Sequence, residues 1–270
     1  MINKFKSIIR DLLNFYFFKK IYFSNKPVAT RKYYENIFIE AKSKIFKNLD
    51  SFENKKNFKI DKSWLDNLAF HTQIVKKKST INYQHGRLLY STLRRYIVEE
   101  KIKKINILEI GTARGFSAVC MSKAINDSNI IGKISTIDII PHTKKIYWNC
   151  IDDINGKKTR EELLNPWKKE LKNISFFTGP SSLILKKIKI DKVDFAFIDG
   201  MHDYYNVKNE LIFLKKRQTI GNIIVIDDYD QNKFEGVVKA LTDQNLNKNY
   251  KIEILSSDPQ RTYAIATRIK

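Results

Sequence analysis

The chain has 270 residues, of which 43% are hydrophobic and 29% charged, values typical of a soluble globular protein with a full core. The net charge is +21, yet nothing concentrates arginine with aromatic residues as a nucleic-acid-binding module would. No uncharged stretch is long enough to cross a bilayer, and Cys120 and Cys150 form no CxxC pair, so we expect a cytoplasmic protein.

The amino-terminal stretch predicts a basic amphipathic helix. Its apolar residues recur at helical spacing with lysines between and after them: Ile2, Phe5, Ile9, Leu12 and Tyr16. We favour packing of this face on the protein's own domain, because apolar stripes at this spacing usually face a core. The alternatives are contact of residues 1–23 with the inner face of a membrane, or with a partner subunit.

Residues 1–100 as a whole predict a helical amino-terminal segment or cap, with loops over 55–64 and 75–80. The stretch 84–100, QHGRLLYSTLRRYIVEE, predicts a helix that leads directly into the first strand. The oligomeric state is left open, and a homo-oligomer is allowed.

From about residue 105, short apolar runs alternate with helical stretches, the pattern of a parallel sheet buried on both faces. The predicted strands are 105–110, 133–139, 173–177, 193–199, 222–227, 250–255 and 262–269. The predicted helices begin near residues 115, 181, 204 and 233, and a further helix is predicted over about 159–172. No helix separates the last two strands, which should form an antiparallel hairpin. Residues 101–270 therefore predict an α/β domain: a doubly wound, Rossmann-like, seven-stranded sheet, mostly parallel.

The first predicted strand runs into a glycine turn, LEIGTARGFS, with Glu109 two residues before Gly111. The spacing of Gly111 and Gly115 departs from the GxGxxG dinucleotide fingerprint, which disfavours NAD-dependent reduction. An acid at this place is awkward beside a pyrophosphate but suits an amino-acid moiety that bears a cation. Asp138, at the end of the second strand, suits the two hydroxyls of a ribose.

These stretches resemble the class I S-adenosylmethionine (SAM)-dependent methyltransferases: LEIGTARGFS is similar to their first motif and TIDI to their second. The resemblance implies SAM as cofactor, with Glu109, Gly111 and Gly115 near its methionine part and Asp138 at its ribose. FFTGPSS is similar to the loop that lines the adenine, which implies contacts from Gly179 and Ser181. Pro180 stands where many relatives carry an acid.

Two further strands end in carboxylates, Asp199 after the fourth and Asp227 and Asp228 after the fifth. Neighbouring strands lie about 4.8 Å apart, so these three groups should converge at one edge of the sheet. Carboxylates that close repel one another, and a hard divalent cation such as Mg²⁺ would relieve the repulsion. The alternative is that acids at strand ends only cap helices and form turns. His202 lies close by and titrates near neutral pH.

FIDGMHDYYNV is similar to the fourth-strand motif of bacterial metal-dependent small-molecule O-methyltransferases, and IIVIDDY is similar to the fifth-strand motif of macrocin-type sugar O-methyltransferases, over roughly residues 84–270. The resemblance also implies an acceptor pocket whose walls come from residues 1–100 and 139–158. The resemblance implies metal binding by Asp199, Asp227 and Asp228, and His202 as general base. The predicted function is Mg²⁺-assisted, SAM-dependent methylation of a hydroxyl on a small polar acceptor such as a sugar. The alternatives are a nucleic-acid methyltransferase, which the +21 charge suggests, and a non-catalytic membrane-peripheral protein.

Overall fold

The structure, a computed structural model, describes residues 24–258 and 261–270. The amphipathic helix predicted within residues 1–23 lies outside this range. Among the described residues, none of the helices combines the length and the apolar character needed to cross a membrane.

Seven strands form one sheet. They are β1 (Lys104–Ile110), β2 (Ile131–Asp138), β3 (Ile174–Thr178), β4 (Phe195–Ile198), β5 (Ile223–Ile226), β6 (Tyr250–Asp258) and β7 (Arg261–Arg268). Their order is β3-β2-β1-β4-β5-β7-β6, with β7 antiparallel to β5 and β6 and the remaining pairs parallel. The predicted Rossmann-like sheet with its carboxyl-terminal antiparallel hairpin is confirmed.

The helices cover both faces of the sheet. Those before β1 are α1 (Arg31–Ser43), α2 (Lys47–Lys56), α3 (Lys62–Thr72) and α4 (His85–Glu99). Those that follow are α5 (Phe116–Asp127), α6 (Arg160–Leu163), α7 (Lys168–Leu171), α8 (Ser181–Lys187), α9 (Tyr204–Lys215), α10 (Glu235–Asp243) and α11 (Leu246–Asn249). Short 3₁₀ turns span Ile151–Asn155 and Asn165–Trp167.

Two predicted boundaries were wrong for local reasons. The helix expected over 159–172 is broken into α6, a 3₁₀ turn and α7, because Pro166 cannot continue a helical hydrogen-bond ladder. The loop expected over 55–64 is shorter, because the side chain of Asp61 accepts a hydrogen bond from the amide of Trp64 (2.7 Å) and starts α3.

Successive side chains of the central strands point to opposite faces of the sheet, so the hydrophobic core has two parts, one on each face. On β4, Phe195 and Phe197 pack with the helices α1 to α5, whereas Ala196 and Ile198 pack with α8 to α11. The amino-terminal helices therefore share a hydrophobic core with one face of the sheet.

The topology brings the carboxyl ends of five parallel strands, β1 to β5, to one edge. The chain winds from β1 outward through β2 to β3, and then from β4 outward to β5 on the other side. The winding direction reverses between β1 and β4, which is where open α/β sheets leave a crevice for ligands.

Candidate active site

The turn after β1 is tightly constrained. Gly111 and Gly115 adopt φ values of 99° and 90°, in the left-handed region that favours glycine. A Cβ atom on Gly111 would lie 1.9 Å from the backbone oxygen of Asp199, so no larger residue fits. The predicted glycine turn is confirmed, and Gly111 packs against the backbone of Asp199 at the end of β4.

Asp138 ties this turn to the end of β2. Its two carboxylate oxygens accept hydrogen bonds from the amides of Ala113 (2.6 Å) and Ile140 (2.7 Å). Burial raises the pKa of Asp138, against the opposing charge of Arg160. The half-buried carboxylate therefore lies between the glycine turn and the loop after β2, the place predicted for a ribose contact.

Arg160 is a pocket residue that the sequence reading missed. Its side chain is buried and donates to the carbonyls of Ala113 (3.0 Å) and Ile140 (3.1 Å). The guanidinium lies 5.4 Å and 5.5 Å from the ring centroids of Trp148 and Phe176. It thus binds the same two segments as Asp138. No sequence signal marked it, since it lies in a stretch without a motif.

Glu109 lies beneath the turn rather than at its surface. It is fully buried and accepts a hydrogen bond from Thr136, whose hydroxyl is also 2.5 Å from that of Thr112. Burial raises the pKa of Glu109 to about 7, against the hydrogen bonds of Ser117 and Thr136. Its predicted role next to a cofactor stays a prediction, and its position is that of a support for the turn.

The loop after β3 joins the same edge. The amide of Gly179 donates to the carbonyl of Asp138 (2.8 Å), which places the predicted adenine loop beside the predicted ribose contact. Ser181 turns away and donates to Glu210 on α9 (2.6 Å). Burial raises the pKa of Glu210 to about 7, against that hydrogen bond. Sequence reading missed Glu210, which looked like an ordinary polar residue of a helix.

The acid cluster, defined as Asp199, Asp227 and Asp228, forms at the ends of β4 and β5 together with His202. The Nε2 atom of His202 is 3.5 Å from Asp199 Oδ1 and 3.4 Å from Asp228 Oδ2. Burial alone would lower the pKa of His202, but the contact with Asp199 and the charge of Asp228 raise it to about 9. The structure therefore brings together the four residues that the sequence singled out here.

Arg261 on β7 completes this cluster and was not predicted. Its Nε atom donates to Asp227 Oδ1 (3.0 Å), its Nη2 bonds Asp227 Oδ2, and Nη2 lies 3.7 Å from Asp199 Oδ2. Burial alone would raise the pKa of Asp227, but Arg261 lowers it to about 2. A lone arginine within a hairpin strand, 34 residues from its partner, carries no sequence signal.

This arrangement does not fit the predicted magnesium site. Among residues 24–258 and 261–270, no three His, Cys, Asp or Glu side chains are grouped so that they could hold a metal ion. Both carboxylate oxygens of Asp227, the central member of the cluster, are bonded to Arg261. A divalent cation would have to displace a guanidinium, which keeps its charge at any accessible pH.

The amino-terminal segment reaches the rim of the site. Lys77 lies in the loop between α3 and α4, where desolvation and the charges of Arg261 and Arg114 lower its pKa to about 8. The segment between β2 and β3, residues 139–173, is called the insert after β2. Asn149 links the loop to this insert, since its side chain accepts a hydrogen bond from the amide of Lys76 (3.0 Å) and donates one to the carbonyl of Lys76 (2.9 Å). The segments predicted to wall a substrate pocket are therefore linked to each other.

Comparisons with known proteins point to a methyltransferase domain. A protein-family model described as a methyltransferase domain matches residues 108–229, from within β1 to just beyond β5. No curated protein matches the chain.

Several solved structures share the fold. The O-methyltransferase from Bacillus cereus, solved in complex with SAH, is 15% identical, with 84% of this chain and 93% of that chain covered and a TM-score of 0.51. TomG from Streptomyces achromogenes, an O-methyltransferase involved in tomaymycin synthesis and solved with SAM, is 14% identical, with 79% and 92% covered and a TM-score of 0.54. The O-methyltransferase NovP is 14% identical, with 72% and 84% covered and a TM-score of 0.53.

Proposed function

We propose that this protein, which carries a methyltransferase domain over residues 108–229, transfers the methyl group of SAM to a hydroxyl of a small polar acceptor such as a sugar. The observation that carries the proposal is that the glycine turn and the acid cluster with His202 lie next to each other at one edge of the sheet. The glycine turn contacts the backbone of Asp199, and the side chain of Asp199 contacts His202. A cofactor at the turn would therefore lie beside a group able to take up a proton.

The cofactor would lie along the carboxyl ends of β1, β2 and β3. In this proposal, Asp138 accepts hydrogen bonds from the ribose, and Gly179 borders the adenine. Arg160 and Glu109 hold the turn and the loop after β2 from beneath, so that less of the pocket has to be ordered when the cofactor binds. The sulfonium of SAM supplies the electrophilic methyl group.

The reaction joins the methyl carbon to the acceptor oxygen as the carbon–sulfur bond breaks, and SAH leaves. The hydroxyl proton passes to His202 and its carboxylates. Asp199 and Asp228 raise the pKa of His202 to about 9, so the imidazole is already protonated at neutral pH. The proton from the acceptor hydroxyl is therefore shared among His202, Asp199 and Asp228 rather than taken up by a neutral imidazole alone. The chain's main contribution is to hold the two reactants in line and apart from water.

The acceptor is proposed to bind between the cluster and the walls formed by the amino-terminal segment and the insert after β2. Lys77 and Asn149 belong to these walls. The nucleic-acid and membrane-peripheral alternatives are not favoured, since the matched family model is a methyltransferase domain and the solved structures described above are of O-methyltransferases.

A transfer assay tests the proposal. The protein is incubated with SAM labelled in its methyl group and a panel of free and nucleotide-linked sugars. We expect label in at least one hydroxyl acceptor, with the rate lowered at least a hundredfold in His202→Ala, since general bases contribute about 10²–10⁴. Transfer to the amino groups of nucleic acid instead would overturn the acceptor class. An unchanged rate in His202→Ala would overturn the role of His202.

A further inference from the structure

The acid cluster has a built-in cation. Arg261 contributes a permanent positive charge to a site with three carboxylates, and it bonds both oxygens of Asp227. Asp227 is fully buried, and its Oδ1 also accepts the amide of Asp228 at 2.8 Å. The carboxylate at the centre of the cluster is thus hydrogen-bonded at both oxygens from within the described chain.

The same guanidinium also faces the next carboxylate. Its Nη2 atom lies 3.7 Å from Asp199 Oδ2, so a single arginine stands between the acids of β4 and β5. A divalent cation placed between those acids would occupy the position of Nη2. Two like charges at such separation repel strongly in a site shielded from water, and an arginine cannot lose its proton to relieve that.

Arg261 is held in place from a third direction. Its Nη1 atom donates to the backbone carbonyl of Asn82 (3.2 Å), in the loop that joins α3 to α4. Its side chain is only 18% exposed. A guanidinium fixed by β5 and by this loop, and close to Asp199 of β4, cannot swing aside without breaking contacts to both segments that hold it.

We propose that Arg261 takes the place of a divalent cation in this cluster, so that the free protein binds no Mg²⁺ or Mn²⁺ between Asp199 and Asp227. This inference concerns the site of the proposed methyltransferase and rests on that function. It replaces the metal expected from the sequence by a side chain that neutralises the same carboxylates. Arg261 also links the amino-terminal segment to the reaction site, which makes it a positioning residue.

The test is a titration with Mn²⁺, followed by the electron paramagnetic resonance signal of the free ion. We expect the wild-type protein to bind Mn²⁺ with a dissociation constant of millimolar or weaker. Arg261→Met should bind at least tenfold more tightly, because Asp227 then lacks the cation that bonds both of its oxygens. Adding Asp199→Asn to Arg261→Met should remove that gain.

Arg268→Met is the matched control. It removes the same charge from the same strand, seven residues away, where the guanidinium bonds the carbonyls of Lys215 and Lys270. Its Mn²⁺ affinity should equal that of the wild type. SAM binding, measured on the same samples by calorimetry, reports on the proposed function independently of the metal result.

Two outcomes would overturn the inference. One is micromolar binding of Mn²⁺ by the wild type that Asp199→Asn abolishes. The other is an Arg261→Met protein that folds, as shown by circular dichroism, and binds Mn²⁺ no more tightly than the wild type. If Arg261→Met does not fold, Arg261→Lys serves instead. It keeps one charge without the two-pronged contact to Asp227, and it should bind Mn²⁺ more tightly than the wild type. An affinity equal to that of the wild type would overturn the inference.

Discussion

At the scale of single residues, Gly111 is the position where the backbone allows least freedom. A Cβ there would overlap the carbonyl of Asp199, and the φ of 99° adds strain for any other residue. We expect Gly111→Ala to abolish SAM binding and to lower the melting temperature sharply. Gly156→Ala is the control, since its φ is 92° but nothing lies within 4 Å of the added atom. Its cost should be backbone strain alone, about 1–3 kcal/mol.

Calorimetry with SAM and thermal unfolding measure the two effects. The account of the turn would be contradicted if Gly111→Ala bound SAM as well as Gly156→Ala does.

The pair of Arg261 and Asp227 makes a second prediction at this scale. Removing one partner of a buried ion pair leaves the other charge uncompensated, at a cost of about 3–5 kcal/mol. We therefore expect Arg261→Met to lower the free energy of unfolding by that amount, and Arg268→Met by clearly less. Denaturant unfolding measures both.

Adding Asp227→Asn to Arg261→Met should recover part of the loss, because the unpaired buried charge is then gone. Additive losses in the double variant would show that the two side chains do not interact.

Glu210 predicts a dependence of stability on pH. Burial raises its pKa in the folded protein to about 7, above the ordinary value of 4.5. The folded state therefore holds the proton more tightly than the unfolded state, so this contribution to stability is present below pH 4.5 and is lost as the pH rises through 7. The loss reaches about 3 kcal/mol above pH 8.

Glu210→Gln cannot ionise and should gain stability relative to the wild type between pH 5 and pH 8. Denaturant unfolding at both pH values measures that difference. Glu161→Gln, on an exposed face of α6, is the control and should show the same difference at both. An equal difference for Glu210→Gln would contradict the assignment.

At the scale of elements, the strands and most of the helices after β1 were readable from the sequence, whereas the connection between β2 and β3 was not. Continuous apolar runs such as IIVI of β5 can only be buried on both sides, so the pattern determines the sheet. The region 159–172 has helical spacing, but Pro166 breaks it, and two short helices joined by a 3₁₀ turn replace one helix. Hydrophobic periodicity depends on side chains, so it does not register that Pro166 lacks a backbone N–H donor.

Asn149 supports a prediction at this scale, because it joins the amino-terminal segment to the insert after β2. It adopts a φ of 55° and bonds Tyr34 and both backbone groups of Lys76. We expect Asn149→Ala to loosen the loop over 73–84 and to speed its amide hydrogen exchange at least tenfold. Each lost bond contributes about 1 kcal/mol.

Hydrogen exchange read by mass spectrometry resolves that loop. Asn129→Ala is the control, with a φ of 51° and an exposed side chain, and should leave the loop unchanged. Equal exchange in both variants would show that Asn149 does not fasten the segment.

At the scale of the whole molecule, the sequence predicted the fold and the acids at the strand ends for one reason. Parallel strands point their carboxyl ends the same way, so Asp138, Asp199 and Asp227 had to meet near the glycine turn. The residues that complete the site were out of reach of that argument. Arg261 meets Asp227 from 34 residues away, and Glu210 meets Ser181 from 29 residues away.

Such contacts depend on how layers pack in three dimensions, and no local pattern encodes them. The magnesium site predicted at the acid cluster does not fit the structure for the same reason. Three neighbouring carboxylates suggest a bound cation, and no local pattern shows that Arg261 on β7 bonds both oxygens of Asp227.

The central claim is that the carboxyl edge of the sheet binds SAM, and a calorimetric titration with SAM tests it most directly. The account predicts one molecule bound per chain, with an affinity at least tenfold weaker in Asp138→Ala and unchanged in Asp191→Ala, an exposed aspartate. No heat of binding at millimolar SAM, or binding that Asp138→Ala leaves intact, would contradict it.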